Sequence, residues 1–90
     1  MIIKPTIFAK TNSIRTQINH IASELCEVRM ALVDYESGGS VDDLADELED
    51  LKISAATAQA ILGFNERGIA TIHMRVVVKN EERGYYGEAE

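Results

Sequence analysis

The chain has 90 residues, 46% apolar and 27% charged, the balance of an ordinary folded protein and enough for one small domain, residues 1–90. Nine basic against fifteen acidic residues leave a net charge of −6, which excludes general binding to a nucleic-acid polymer. The one cysteine, Cys26, with two histidines, excludes an internal disulfide and a zinc centre, and predicts a reducing, cytoplasmic setting.

The opening, Met1-Ile2-Ile3-Lys4-Pro5, carries no basic-then-apolar leader, and no apolar run reaches the roughly 18–20 residues of a membrane span, so no membrane partner is expected. Residues 1–10 read as an extended or loosely docked arm. From Asn12 or Ser13, either a suitable N-cap, apolar residues recur at Ile14, Ile18, Ile21, Leu25, Val28 and Leu32, the spacing of an amphipathic helix that stops at Gly38-Gly39. Ser40 with Asp43 forms a capping-box-like start, and Leu44, Leu48, Leu51, Ala55, Ala58 and Leu62 repeat the spacing up to Gly63. From Asn65 to about Arg83 two patterns compete. Ile69, Ile72, Val76 and Asn80 fit a helical stripe, whereas Ala70, Ile72, Met74, Val76 and Val78 alternate as in a strand. Two long helices leave a lone strand no ladder partner, so the segment is read as a third helix. Gly84–Glu90, with Tyr85 and Tyr86, reads as a coiled tail.

These elements predict an all-α fold, an antiparallel helical bundle of about three helices per chain. A first helix of about 25 residues would run roughly 37 Å, more than two partner helices could cover. Homo-oligomerisation is therefore expected to complete the bundle.

With Ile14 at zero on a wheel of about 100° per residue, the first stripe lies within about 40° of zero, His20 near 240°, Glu24 near 280° and Glu27 near 220°. On the second helix, with Leu44 at zero, Glu47 falls near roughly 300°, Asp43 near 260° and Asp50 near 240°, while Glu49, near 140°, faces away. Both helices thus carry acids on the same flank of their stripes, at the border of the interface, with Asp46 between that flank and the outer face. Four carboxylates converging there could not all stay ionised without a cation. Oxygen donors without Cys and with few His suit Mg²⁺ or Mn²⁺. A carboxylate-bridged iron site asks for Glu-x-x-His pairs, and neither His20 nor His73 has a Glu three residues before it. Cys26 is expected to be a small buried residue and His73 to lie at the core border.

Glu24-Leu25-Cys26-Glu27, nineteen intervening residues, then Glu47-Leu48-Glu49-Asp50 resembles the E-x-x-E, spacer, E-x-x-D signature of the MazG-like all-α nucleoside triphosphate pyrophosphohydrolases. Lys79-Asn80-Glu81-Glu82-Arg83-Gly84 is similar to the lysine and arginine-glycine stretch that closes the catalytic core in many of them. The likeness spans about Ile14 to Gly87. It implies Mg²⁺-dependent cleavage of a (deoxy)nucleoside triphosphate between its α and β phosphates, giving monophosphate and pyrophosphate, by a homodimer or homotetramer. It also implies Glu24, Glu27, Glu47 and Asp50 as metal ligands, with Glu24 or Glu27 taking the proton of the attacking water. Lys79 and Arg83 would meet phosphate oxygens, Asn80 sugar or phosphate, and His20 the nucleobase.

The phosphoribosyl-ATP pyrophosphatases resemble the chain less. They carry a tyrosine-histidine step after the second acid pair, where this chain reads Asp50-Leu51-Lys52-Ile53-Ser54. The longer dimeric dUTPases need more chain. A rival of another class is a non-enzymatic helical oligomeric adaptor whose acids only keep it in solution.

Overall fold

Ser13 opens the first long helix by accepting a hydrogen bond from the Thr16 amide at 3.1 Å, which satisfies one of the free donors of the first turn. In the computed structural model, which describes residues 3–87, α1 runs Ile14–Glu36, α2 Val41–Ile61 and α3 Glu66–Glu82, and a 3₁₀ turn at Ile7–Ala9 precedes them. Met1, Ile2 and the last three residues of the expected tail lie outside the described residues. No strand occurs among those described, and Val76–Val78 are helical. Ser40 caps α2 through the Asp42 and Asp43 amides, and Asn65 caps α3 through the Gly68 amide.

The α1–α2 turn depends on two glycines. Gly38 adopts φ +96°, the left-handed conformation that a side chain disfavours. A Cβ on Gly39 would lie 2.7 Å from the Asp34 carbonyl oxygen.

The seam between the first two helices differs from the predicted stripe. On α1 the residues that escape full exposure are Ile14, Gln17, Ile21, Glu24, Val28 and Ala31; on α2 the matching line is Leu44, Glu47, Leu51, Ser54, Ala58 and Ile61, with Ile53, Ala56, Thr57, Gln59 and Ala60 also covered in its second half. Each set steps by three and four, but relative to the apolar stripe it is rotated by roughly 50° toward the acidic flank. Every second stripe residue consequently faces outward: Ile18, Leu25, Leu32, Leu48 and Leu62 are 43–60% exposed. Of the acids expected at the border of the interface, Glu24 and Glu47 instead occupy it, while Glu27, Asp43 and Asp50 stay exposed.

The three expected helices are present, but in place of a three-helix bundle α1 and α2 pack together as a hairpin, while α3 makes no comparable contact with either and buries no residue. Ala58 is the one fully buried apolar residue among those described. Cys26 is exposed, since it lies off the seam, and so is His73, because α3 has no core to border. The N-terminal arm is docked more closely than expected. The Thr6 amide donates to Thr57 Oγ1 at 3.0 Å, and that hydroxyl in turn donates to the Ile53 carbonyl at 2.9 Å, leaving Thr57 wholly covered beneath the arm.

Candidate functional site

Rotation of the seam brings three acids together. Glu24 and Glu27 lie one turn apart on α1, Glu47 faces them from α2, and each offers a carboxylate oxygen within 4.8 Å of the other two. Glu24 Oε2 and Glu47 Oε2 are buried and find no hydrogen-bond donor. Burial raises the Glu47 pKa above the ordinary glutamate value, and the charges of Glu27, Asp50 and Glu24 push it the same way. Asp50, one turn beyond Glu47 and exposed, is therefore close enough to act electrostatically but stands outside the triad.

Glu24 is the best anchored of the three, its side chain only 13% exposed. Its Oε1 accepts from His20 Nε2 at 2.9 Å, one turn earlier on α1, and lies 3.5 Å from the Ser54 hydroxyl across the seam. Beneath it, Gln17 spans the two helices, its amide nitrogen donating to the Ser54 carbonyl at 3.1 Å and its carbonyl accepting from Asn12 Nδ2 at 2.9 Å. Gln17, Ser54 and Thr57 were not singled out in the sequence. Their signal was spacing: Gln17 is three residues after Ile14 and four before Ile21, and Ser54 is three after Leu51, both on the seam line.

Beside the triad an open groove of about 350 Å³ extends toward the α1–α2 turn, bounded by Glu27, Met30, Asp34, Asp43, Asp46 and Glu47 among others. Asp46, expected between the acidic flank and the outer face, thus borders the groove. Glu49 is exposed on its own side of α2 and pairs with Lys52 at 3.0 Å. The expected phosphate contacts are not drawn in by their own chain. Lys79 and Asn80 lie near the end of α3 and Arg83 caps it, and among the described residues no ion pair joins Lys79 or Arg83 to an acid of α1 or α2. The Arg83 guanidinium instead lies 5.7 Å from the centre of the Tyr85 ring.

Chemically, three carboxylates with two donor-free buried oxygens could hold a hard, multiply charged cation. No nitrogen or sulfur ligand is among them, which disfavours the softer transition metals. Comparison with protein families, with curated proteins and with solved structures finds no match to this chain. No helix among the described residues is long and apolar enough to cross a membrane.

Proposed function

We propose that the chain is a nucleotide pyrophosphohydrolase of MazG-like type, cleaving a (deoxy)nucleoside triphosphate between its α and β phosphates with Mg²⁺, for which Mn²⁺ can substitute. One observation carries the reading: Glu24, Glu27 and Glu47 converge to within 4.8 Å with two buried oxygens that no protein donor satisfies. Such an arrangement is costly unless a cation compensates it. Glu24, Glu27 and Glu47 would hold the metal, with Asp50 supplying further negative charge beside Glu47. A bound divalent ion supplies charge neutralisation on the leaving pyrophosphate and activation of water. Of the chain's own groups, Glu24 or Glu27 accepts the proton of the attacking water. The acidic groove repels a free triphosphate, so nucleotide enters only with its charge compensated.

Self-association belongs to the same proposal. A chain whose fully buried apolar residues, among those described, reduce to Ala58, with the outward halves of two stripes exposed and no residue of α3 fully buried, is completed by further copies as a homodimer or homotetramer. The exposed single thiol, Cys26, suits a reducing compartment such as the cytoplasm.

The experiment is a panel of ribo- and deoxyribonucleoside triphosphates assayed for pyrophosphate release with Mg²⁺ and with chelator. Metal-dependent release from at least one, with monophosphate as co-product, is expected. A second reading, the non-enzymatic helical adaptor, draws on a specific observation: among the described residues, no ion pair joins Lys79 or Arg83 to an acid. Its signature is a melting temperature indifferent to millimolar Mg²⁺, whereas the triad predicts stabilisation by mass action, about 2.7 kcal/mol at a hundred times Kd.

A further inference from the structure

We infer that His20 and Ser54 are positioning residues for Glu24, holding one carboxylate oxygen so that the other is presented to the cation; this rests on the reading of the triad as a cation site. The two oxygens of Glu24 are treated differently. Oε1 receives the His20 imidazole at 2.9 Å and lies 3.5 Å from the Ser54 hydroxyl, whereas Oε2 is buried with no partner. A glutamate side chain loses rotamer freedom on being fixed, and donors on one oxygen meet part of that cost before any ligand arrives. The contact requires only an Nε2 proton, which the neutral Nε2–H tautomer and the imidazolium both carry.

Ser54 is itself held. It is buried on the seam, its carbonyl accepts from Gln17, and Gln17, 2% exposed, is tied back to Asn12 ahead of α1. A hydrogen-bonded line thus runs from the start of α1, across the seam, to the residue next to the Glu24 carboxylate. This assigns His20 to the support of a carboxylate instead of to a nucleobase. Outer partners of this kind commonly alter metal affinity by 10–100-fold.

The test uses the full chain and Mn²⁺ alone, with free Mn²⁺ read by electron paramagnetic resonance. His20→Ala and Ser54→Ala should each weaken Mn²⁺ binding by about tenfold. The metal-free melting temperature of His20→Ala should barely move, because that side chain is half-exposed. His20→Gln, which keeps an N–H donor of similar reach, should recover most of the affinity, a rescue that a merely structural role would not give. Unchanged affinity in both alanine variants, or a glutamine variant as weak as the alanine one, overturns the inference. The imidazole ¹⁵N signals of metal-free wild type and Glu24→Ala show where a failure lies. Signals that differ, in a wild type that takes up no Mn²⁺, sink the cation-site reading and this inference with it. Signals that coincide, in a wild type that does take it up, sink the positioning role alone.

Discussion

Glu24 and Glu47 meet across the α1–α2 seam with carboxylate oxygens within 4.8 Å, and each keeps a buried oxygen that no donor reaches. Two like charges so placed oppose the packing that brings them together. The fold tolerates the repulsion because the rest of the seam, with Ile14, Ile21 and Val28 against Leu44, Leu51 and Ala58, holds the helices closed.

The repulsion should show in the pH dependence of stability. The raised pKa of Glu47 means that the folded chain retains a proton the unfolded chain gives up near the ordinary value of 4.5. Its stability contribution is therefore greatest below that value and is lost as pH rises through the raised one. Glu47→Gln removes the titration. In chelator, the melting temperature of wild type relative to Glu47→Gln should fall as pH rises above the ordinary value of 4.5, with the variant the more stable once Glu47 is ionised. A difference independent of pH would refute the assignment.

Hydrolysis should separate the acids by their position on the helices. Glu24→Gln, Glu27→Gln and Glu47→Gln should each lose at least about 10²-fold in kcat, the scale of a missing acid–base group or ligand. Asp50→Asn, which removes a neighbouring charge, should lower activity less or equally. Glu49→Gln, which breaks only the exposed pair with Lys52, should leave it within about twofold, since such pairs contribute little. Steady-state kinetics with the preferred triphosphate decides. Equal loss at Glu49 would mean that the seam does not define the site.

The basic segment calls for a different measurement, because it lies on a helix that does not pack on the triad in its own chain. Lys79→Ala and Arg83→Ala should raise KM or lower kcat while leaving Mg²⁺-induced stabilisation of the free protein unchanged. Arg83→Lys should recover only part of the activity if the guanidinium grips phosphate with two donors. Unaltered kinetics in both alanine variants would remove the segment from the site.

Inward and outward apolar positions should respond oppositely to substitution. Leu25→Glu, on the exposed half of the α1 stripe, should disrupt self-association, with light scattering reporting a smaller species. Leu51→Ala, on the seam, should instead destabilise by about 2 kcal/mol, the lower end for a site only partly covered, without altering the mass of the folded species.

The helices themselves were legible in the sequence. Ser13, Ser40 and Asn65 mark the caps, and the boundaries at Ile14–Glu36, Val41–Ile61 and Glu66–Glu82 fall within a few residues of those predicted. The register of the seam was not. A stripe such as Ile14, Ile18, Ile21, Leu25 is wide enough to be covered along either edge, and periodicity does not say which edge meets the same chain. The buried Gln17, Ser54 and Thr57 escaped notice because polar residues give no hydropathy signal; spacing from Ile14 and Leu51 places Gln17 and Ser54 on the seam, whereas Thr57 lies off it, beneath the N-terminal arm. The acids were identified individually, but Glu24 and Glu47 were expected at the rim. The seam turned toward them because α2 covers the acidic edge of each stripe and leaves the other edge open.

Those buried polar residues also govern translation of one helix along the other. A wholly aliphatic contact would let α2 slide by one turn, about 5.4 Å, at small cost, exchanging one leucine for the next. Here such a slip would strip the Gln17 amide of the Ser54 carbonyl and uncover Thr57 from Thr6, leaving unpaired polar groups in a dry contact. The hairpin is keyed like a lock with one cut, and the key holds Glu47 level with Glu24.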